Sequence, residues 1–106
     1  MSAVFTGEME RLLNAMMIAP ISDMGWRLTK RFSVGEKLAQ GNSDNELARL
    51  YNGRGDYVDI AHNGKVFFGT ELGLDEFPLD GHALVQIGKT ALLLEAEIRK
   101  QKGDEA

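Results

Sequence analysis

The chain has 106 residues, the size of one domain (1–106), and its 43% hydrophobic and 26% charged residues are ordinary globular values. It has no cysteine, which excludes disulfides, thiolate nucleophiles and cysteine-based zinc or iron–sulfur sites. A net charge of −4 weakens general attraction to phosphate and puts nucleic acid behind protein as a partner.

The first residues, MSAVFTGEMERLL, lack the basic start and apolar run of a signal peptide, and Glu8 and Glu10 argue against a mitochondrial presequence. Apolar runs are too short to cross a membrane. The expectation is a cytoplasmic protein.

Residues 5–17 predict a helix. Phe5, Met9, Leu12, Leu13, Met16 and Met17 recur at helical spacing, Thr6 is a suitable N-cap, and Pro20 stops the element. Residues 24–32 fit a strand face (Met24, Trp26, Leu28, Phe32) or, without Trp26, a helix face. Ser33-Val34-Gly35-Glu36 has the form of a capping box, which makes a short strand near 26–32 the better reading and starts a second helix at 34–40. Ser43-Asp44-Asn45-Glu46 repeats the pattern and predicts a third helix, 44–51, closed by Asn52-Gly53.

Residues 56–61 and 66–70 are β-rich and flank Asn63-Gly64, which suits a type I′ hairpin turn. The register that this turn implies pairs Ala61 with Val66, Ile60 with Phe67 and Val58 with Gly69. It places Val58, Ile60 and Phe67 on one face, with Tyr57, Ala61, Val66 and Phe68 on the other.

Asp80 caps a long final helix reaching about Lys102, and 101–106 reads as a frayed tail. Ala83, Leu84, Ile87, Ala91, Leu94 and Ile98 form one apolar arc of about 100°. Val85, Leu92 and Ala96 form a second stripe, Leu93 projects elsewhere again, and Gly88 lies where another backbone could approach. Two explanations compete: the helix is wedged inside the domain, or Val85, Leu92, Leu93 and Ala96 meet a partner, most simply a second copy paired through 83–98.

Little of this points to catalysis. Neither His62 nor His82 has a neighbour at metal-ligand spacing. Asp56 and Asp59 are three apart on a strand and face opposite sides. Of the four serines, Ser33 and Ser43 are better explained as caps, and no nucleophile elbow, phosphate loop or dinucleotide fingerprint is present. Arg54-Gly55-Asp56 matches the integrin-recognition triplet in letters alone. The expectation is a protein that is not an enzyme and needs no cofactor or metal.

The order helix, short strand, helix, turn, helix, hairpin, long helix resembles a winged helix-turn-helix over about 5–100. That resemblance implies a DNA-binding regulator whose third helix enters the major groove and whose hairpin is the wing. Asn45, Arg49, Asn52, Arg54 and Lys65 would face the duplex, and the last helix would dimerise. The motif departs from that pattern where Lys37 takes the usual small position four residues before the turn glycine, Gly41, and Asn42 takes the usual apolar position after it.

The reading of the whole is an α+β domain of four helices with one β-hairpin. Its expected function is that of a small non-catalytic binding protein (an adaptor, an inhibitor or a mobile-element accessory) that engages another protein through its last helix or through acidic Glu71, Asp75, Glu76 and Asp80. The winged-helix regulator is the alternative.

Overall fold

In the computed structural model, residues 6–31, 46–61, 63–70 and 78–101 are described. They form a helix α1 (Gly7–Met16), strands β1 (Arg27–Arg31), β2 (Glu46–Tyr51), β3 (Asp56–Ala61) and β4 (Val66–Thr70), and a helix α2 (Gly81–Gln101). The strands make one antiparallel sheet in the order β1-β2-β3-β4, so every strand pairs with its neighbour in sequence. Both helices contribute to the core over one sheet face.

Local chemistry accounts for the helix starts. The Thr6 hydroxyl accepts from the Met9 backbone N–H at 3.2 Å, which satisfies one of the donors left unpaired at a helix N-terminus. Asp80 does the same for α2, accepting from Ala83 N at 2.9 Å. Met9, Leu13 and Met16 bury the inner side of α1. The helices lie antiparallel. Gln86 of α2 donates to the carbonyls of Met16 and Ile18, while Gln101 reaches the Met9 sulfur at 3.6 Å. The bond to Met16 O also satisfies a carbonyl at the end of α1 that has no partner within the helix.

Ala48, Leu50, Val58 and Ile60 project from the two central strands toward the helices and are fully buried. They meet Ala83, Ile87, Ala91, Leu94 and Ile98 in one cluster. A bulge in β2 between Glu46 and Ala48 lets the consecutive residues Leu47 and Ala48 both bury completely, which a regular period-2 strand would forbid. Trp26, 2% exposed, bridges the layers by donating its indole N–H to Pro78 O at 3.3 Å.

The α+β composition agrees with the sequence reading, but the arrangement of four helices with one hairpin does not. The described residues hold two helices and a four-stranded antiparallel sheet. The expected third helix, 44–51, is replaced over 46–51 by strand β2. Leu47 and Leu50 sit three apart, which suits a helix face as well as a bulged strand, and a Ser-x-x-Glu pattern is a local preference only. Backbone pairing to β1 on one side and β3 on the other outweighs it. Without that helix the winged helix-turn-helix order does not exist. The expected helix 34–40 and the first capping box lie outside the described residues. The candidate strand near 26–32 is β1.

The hairpin occupies the expected stretches with a different register. Ile60 pairs with Val66, Val58 with Phe68 and Tyr57 with Gly69, one residue away from the type I′ expectation. Asn63 does not have positive φ, whereas Gly64 does, at 84°. Gly64 N donates to Ala61 O at 3.1 Å and Ala61 N to Lys65 O at 2.9 Å. This is a three-residue loop with glycine in the left-handed position, the other common solution for Asn-Gly. The one-residue shift puts Val66 and Phe68 on the sheet face of Val58 and Ile60, where Val66 packs against the core and Phe68 stays 43% exposed, and turns Phe67 to the other face, 53% exposed.

Candidate interaction surface

Helix α2 has two apolar faces. Its inner face is the buried set described above. Val85, Leu92 and Ala96 point roughly the opposite way, with Gly88 among them, taking 3.6 residues per turn. Val85 is 56% exposed, Leu92 62% and Leu93 52%. Ala96 is exposed as well. The expected inner arc loses one member, because Leu84 stands 42% exposed at its edge. The wedged-helix explanation therefore fails for the described residues: one face of α2 builds the core and the other is left without a cover. Ala19 and Pro20 line a shallow groove beside Val85, Gln86 and Lys89, and Ile18, next in the chain, is 60% exposed. Ile18 was not legible as surface, since its apolar neighbours Met16 and Met17 carry the same hydropathy.

The sheet face turned away from the helices is built differently. Arg49 and Asp59 are cross-strand partners, and the guanidinium grips the carboxylate through two bonds of 2.7 and 2.8 Å. The same guanidinium lies 4.3 Å from the Tyr57 ring centroid. The Tyr57 ring in turn lies across Gly69, so close that a Cβ on residue 69 would overlap it at 2.1 Å. Asp59 is buried at 7% exposure, with its charge neutralised in place. Opposite charges facing each other across two strands would have revealed the pair once residues 46–51 were read as extended.

The candidate DNA residues do not gather. Arg49 is committed to Asp59. The Asn52 side chain accepts from Arg54 N at 2.9 Å and donates to the Asp56 carboxylate at 2.9 Å, which shapes the β2–β3 turn. Arg54 sits at the start of β3 and Lys65 beyond its end, separated by roughly 15–20 Å of strand. Asn45 lies outside the described residues, as do His62 and the acidic Glu71, Asp75 and Glu76. Arg54-Gly55-Asp56 falls between two strands, and not between a helix and a strand as expected. Its aspartate is 6% exposed, so the triplet presents no free carboxylate.

Donation from Thr70, its cross-strand partner, and then from Asn52 holds the Asp56 carboxyl below the usual aspartate range. A depressed carboxylate stabilises the fold above its unfolded pKa of about 4 and loses that contribution as pH falls through the folded value. Asp56→Asn is therefore expected to lower the urea midpoint at pH 7 and to lower it less at pH 3. Equal losses at both pH values would show that the carboxylate charge is not what Thr70 and Asn52 recognise.

Among the described residues no group of three His, Asp or Glu side chains is arranged to hold a metal, and no helix is long and apolar enough to cross a membrane. No protein-family model, curated protein or solved structure matches the chain.

Proposed function

We propose that this protein is a non-catalytic binding module that engages another protein through the outer face of α2. The observation that carries the reading is the exposure of Val85 and Leu92 on the outer stripe, with Leu93 beside them, each more than half exposed, on a helix whose opposite face is already occupied by the core. Covering half-exposed leucine or valine side chains contributes about 1 kcal/mol each, so an open row of this kind favours association. The two aspartates on β3 favour the absence of chemistry, since Asp59 is held by Arg49 and Asp56 by Asn52 and Thr70. The cysteine-free composition suits a reducing compartment, and the cytoplasm is the proposed setting.

A photo-reactive amino acid in place of Leu93, compared with one in place of exposed Thr29 on β1, tests the reading in the native cells. A defined adduct at 93, identified by mass spectrometry and lost when Leu92→Glu is added, is the expected result. The same adducts at 93 and 29, or none at either position, would overturn it.

A further inference from the structure

We infer that Asn63 is a site of spontaneous deamidation, that Asn52 is protected from the same reaction by its place in the fold, and that the product at 63 loosens the hairpin. Asn-Gly occurs twice in the chain, at Asn52-Gly53 and Asn63-Gly64. Reaction at such a pair needs only water. The glycine nitrogen gives up its proton and attacks Cγ of the asparagine, the Cγ–Nδ2 bond breaks, and ammonia leaves carrying a proton. The cyclic imide left behind takes up water, which opens one or other of its C–N bonds and gives aspartate or isoaspartate. Nothing is oxidised or reduced. Glycine favours the attack because it has no Cβ to crowd the ring.

The two pairs are locally alike. Each lies in a turn between strands, β2–β3 or β3–β4. Each glycine has positive φ, 80° at Gly53 and 84° at Gly64. Each asparagine Oδ1 accepts from the backbone N–H two residues on, Arg54 N at 2.9 Å and Lys65 N at 3.1 Å. That donor draws electrons from Cγ and supports the oxyanion of the attacked carbonyl at both sites.

What differs is Asp56. Asn52 is half-buried, its Oδ1 also accepts from Asp56 N at 3.3 Å, and its Nδ2 donates to the Asp56 carboxylate at 2.9 Å. Turning Cγ toward Gly53 N breaks both bonds, one of them to a charged group, and raises a negative oxygen beside a carboxylate. Asn63 is exposed, and among the described residues its side chain bonds to no acidic group. Attack there has to release Gly64 N from Ala61 O at 3.1 Å, a neutral bond at the tip of a hairpin, where local opening needs least energy.

The product bears on the fold. It puts a new negative charge one residue from Gly64, against which the Glu95 side chain packs so closely that a Cβ on residue 64 would lie 3.0 Å from its Oε1. Isoaspartate also routes the main chain through the former side chain and lengthens the loop that fixes the register of β4 on β3.

The test incubates the full chain at neutral pH, folded or in denaturing guanidinium chloride, and then digests it with trypsin. Cleavage after Arg49, Arg54 and Lys65 places Asn52 in Leu50–Arg54 and Asn63 in Gly55–Lys65, so mass spectrometry follows each site separately. In the folded protein Asn63 is expected to convert at least about 10-fold faster than Asn52, as the two extra bonds at Asn52 imply. In guanidinium chloride the two rates are expected to converge, because the dipeptide is the same. Equal rates in the folded protein, or a faster Asn52, would overturn protection by Asp56. An Asn63 that converts only in the denaturant would overturn the site. The deamidated fraction, separated by anion exchange on its added charge, is expected to unfold at lower urea than the unmodified protein. An unchanged midpoint would overturn the effect on the hairpin.

Discussion

Leu94→Ala is expected to lower the stability of the monomer by about 3 kcal/mol, because Leu94 is fully buried against the sheet and its truncation leaves a cavity. Leu92→Ala, two residues earlier, is expected to change it by less than about 0.5 kcal/mol, because that side chain is 62% exposed. Both are read by urea unfolding at low protein concentration. The contrast is the sharpest measure of the division of α2 into a structural and an outward face. A comparable loss in the two variants would mean that Leu92 is covered within its own chain, and the surface proposed for binding would not exist. The loss at Leu94 is a large fraction of the total stability of a domain this size, which is on the order of 5–15 kcal/mol.

Arg49→Ala is the second large effect. It strips the buried Asp59 carboxylate of the guanidinium that grips it, the pair at 2.7 Å, and removes the cation above Tyr57. Breaking a fully buried pair costs about 3–5 kcal/mol. The Arg49 side chain is 37% exposed, so solvent reaches it and the expected loss is nearer 2 kcal/mol. Asp59→Ala removes the same pair from the other side. The double variant is then expected to cost less than the sum of the singles by at least about 1 kcal/mol. Arg49→Lys is expected to restore little, since an ammonium cannot grip both oxygens. Strict additivity in the cycle would show that Arg49 acts through packing on Tyr57 and not through Asp59.

The face that Arg49, Tyr57 and Asp59 build also shows how a strand can be misread. Residues 46–51 present Leu47 and Leu50 at helical spacing behind a Ser-x-x-Glu pattern, and every local signal there is consistent with a helix. The segment is extended because β1 and β3 each bond one of its edges, and because a bulge brings two adjacent residues to the core. Neither fact is local. The Asn63-Gly64 turn failed more narrowly. Both hairpin solutions use the same two letters, and they differ by one residue of register, which decides whether Phe67 or Phe68 faces the helices. Burial of Val66 beside Ile60 favours the observed one.

What residues alone determined were the elements whose causes lie within one turn or one periodic run. These are α1 with its Thr6 cap, α2 with its Asp80 cap, the extents of β3 and β4, and the second apolar stripe of α2 at Val85, Leu92 and Ala96. What tertiary structure decided was everything that depends on a neighbour distant in sequence. It made 46–51 a central strand, set the hairpin register, joined Arg49 to Asp59, and assigned one face of α2 to the core and the other to the surface. Capping and periodicity are short-range energies of about 1 kcal/mol or less, and they are legible wherever nothing opposes them. Sheet pairing and core burial sum many such contributions across the chain, and they prevail wherever the two disagree.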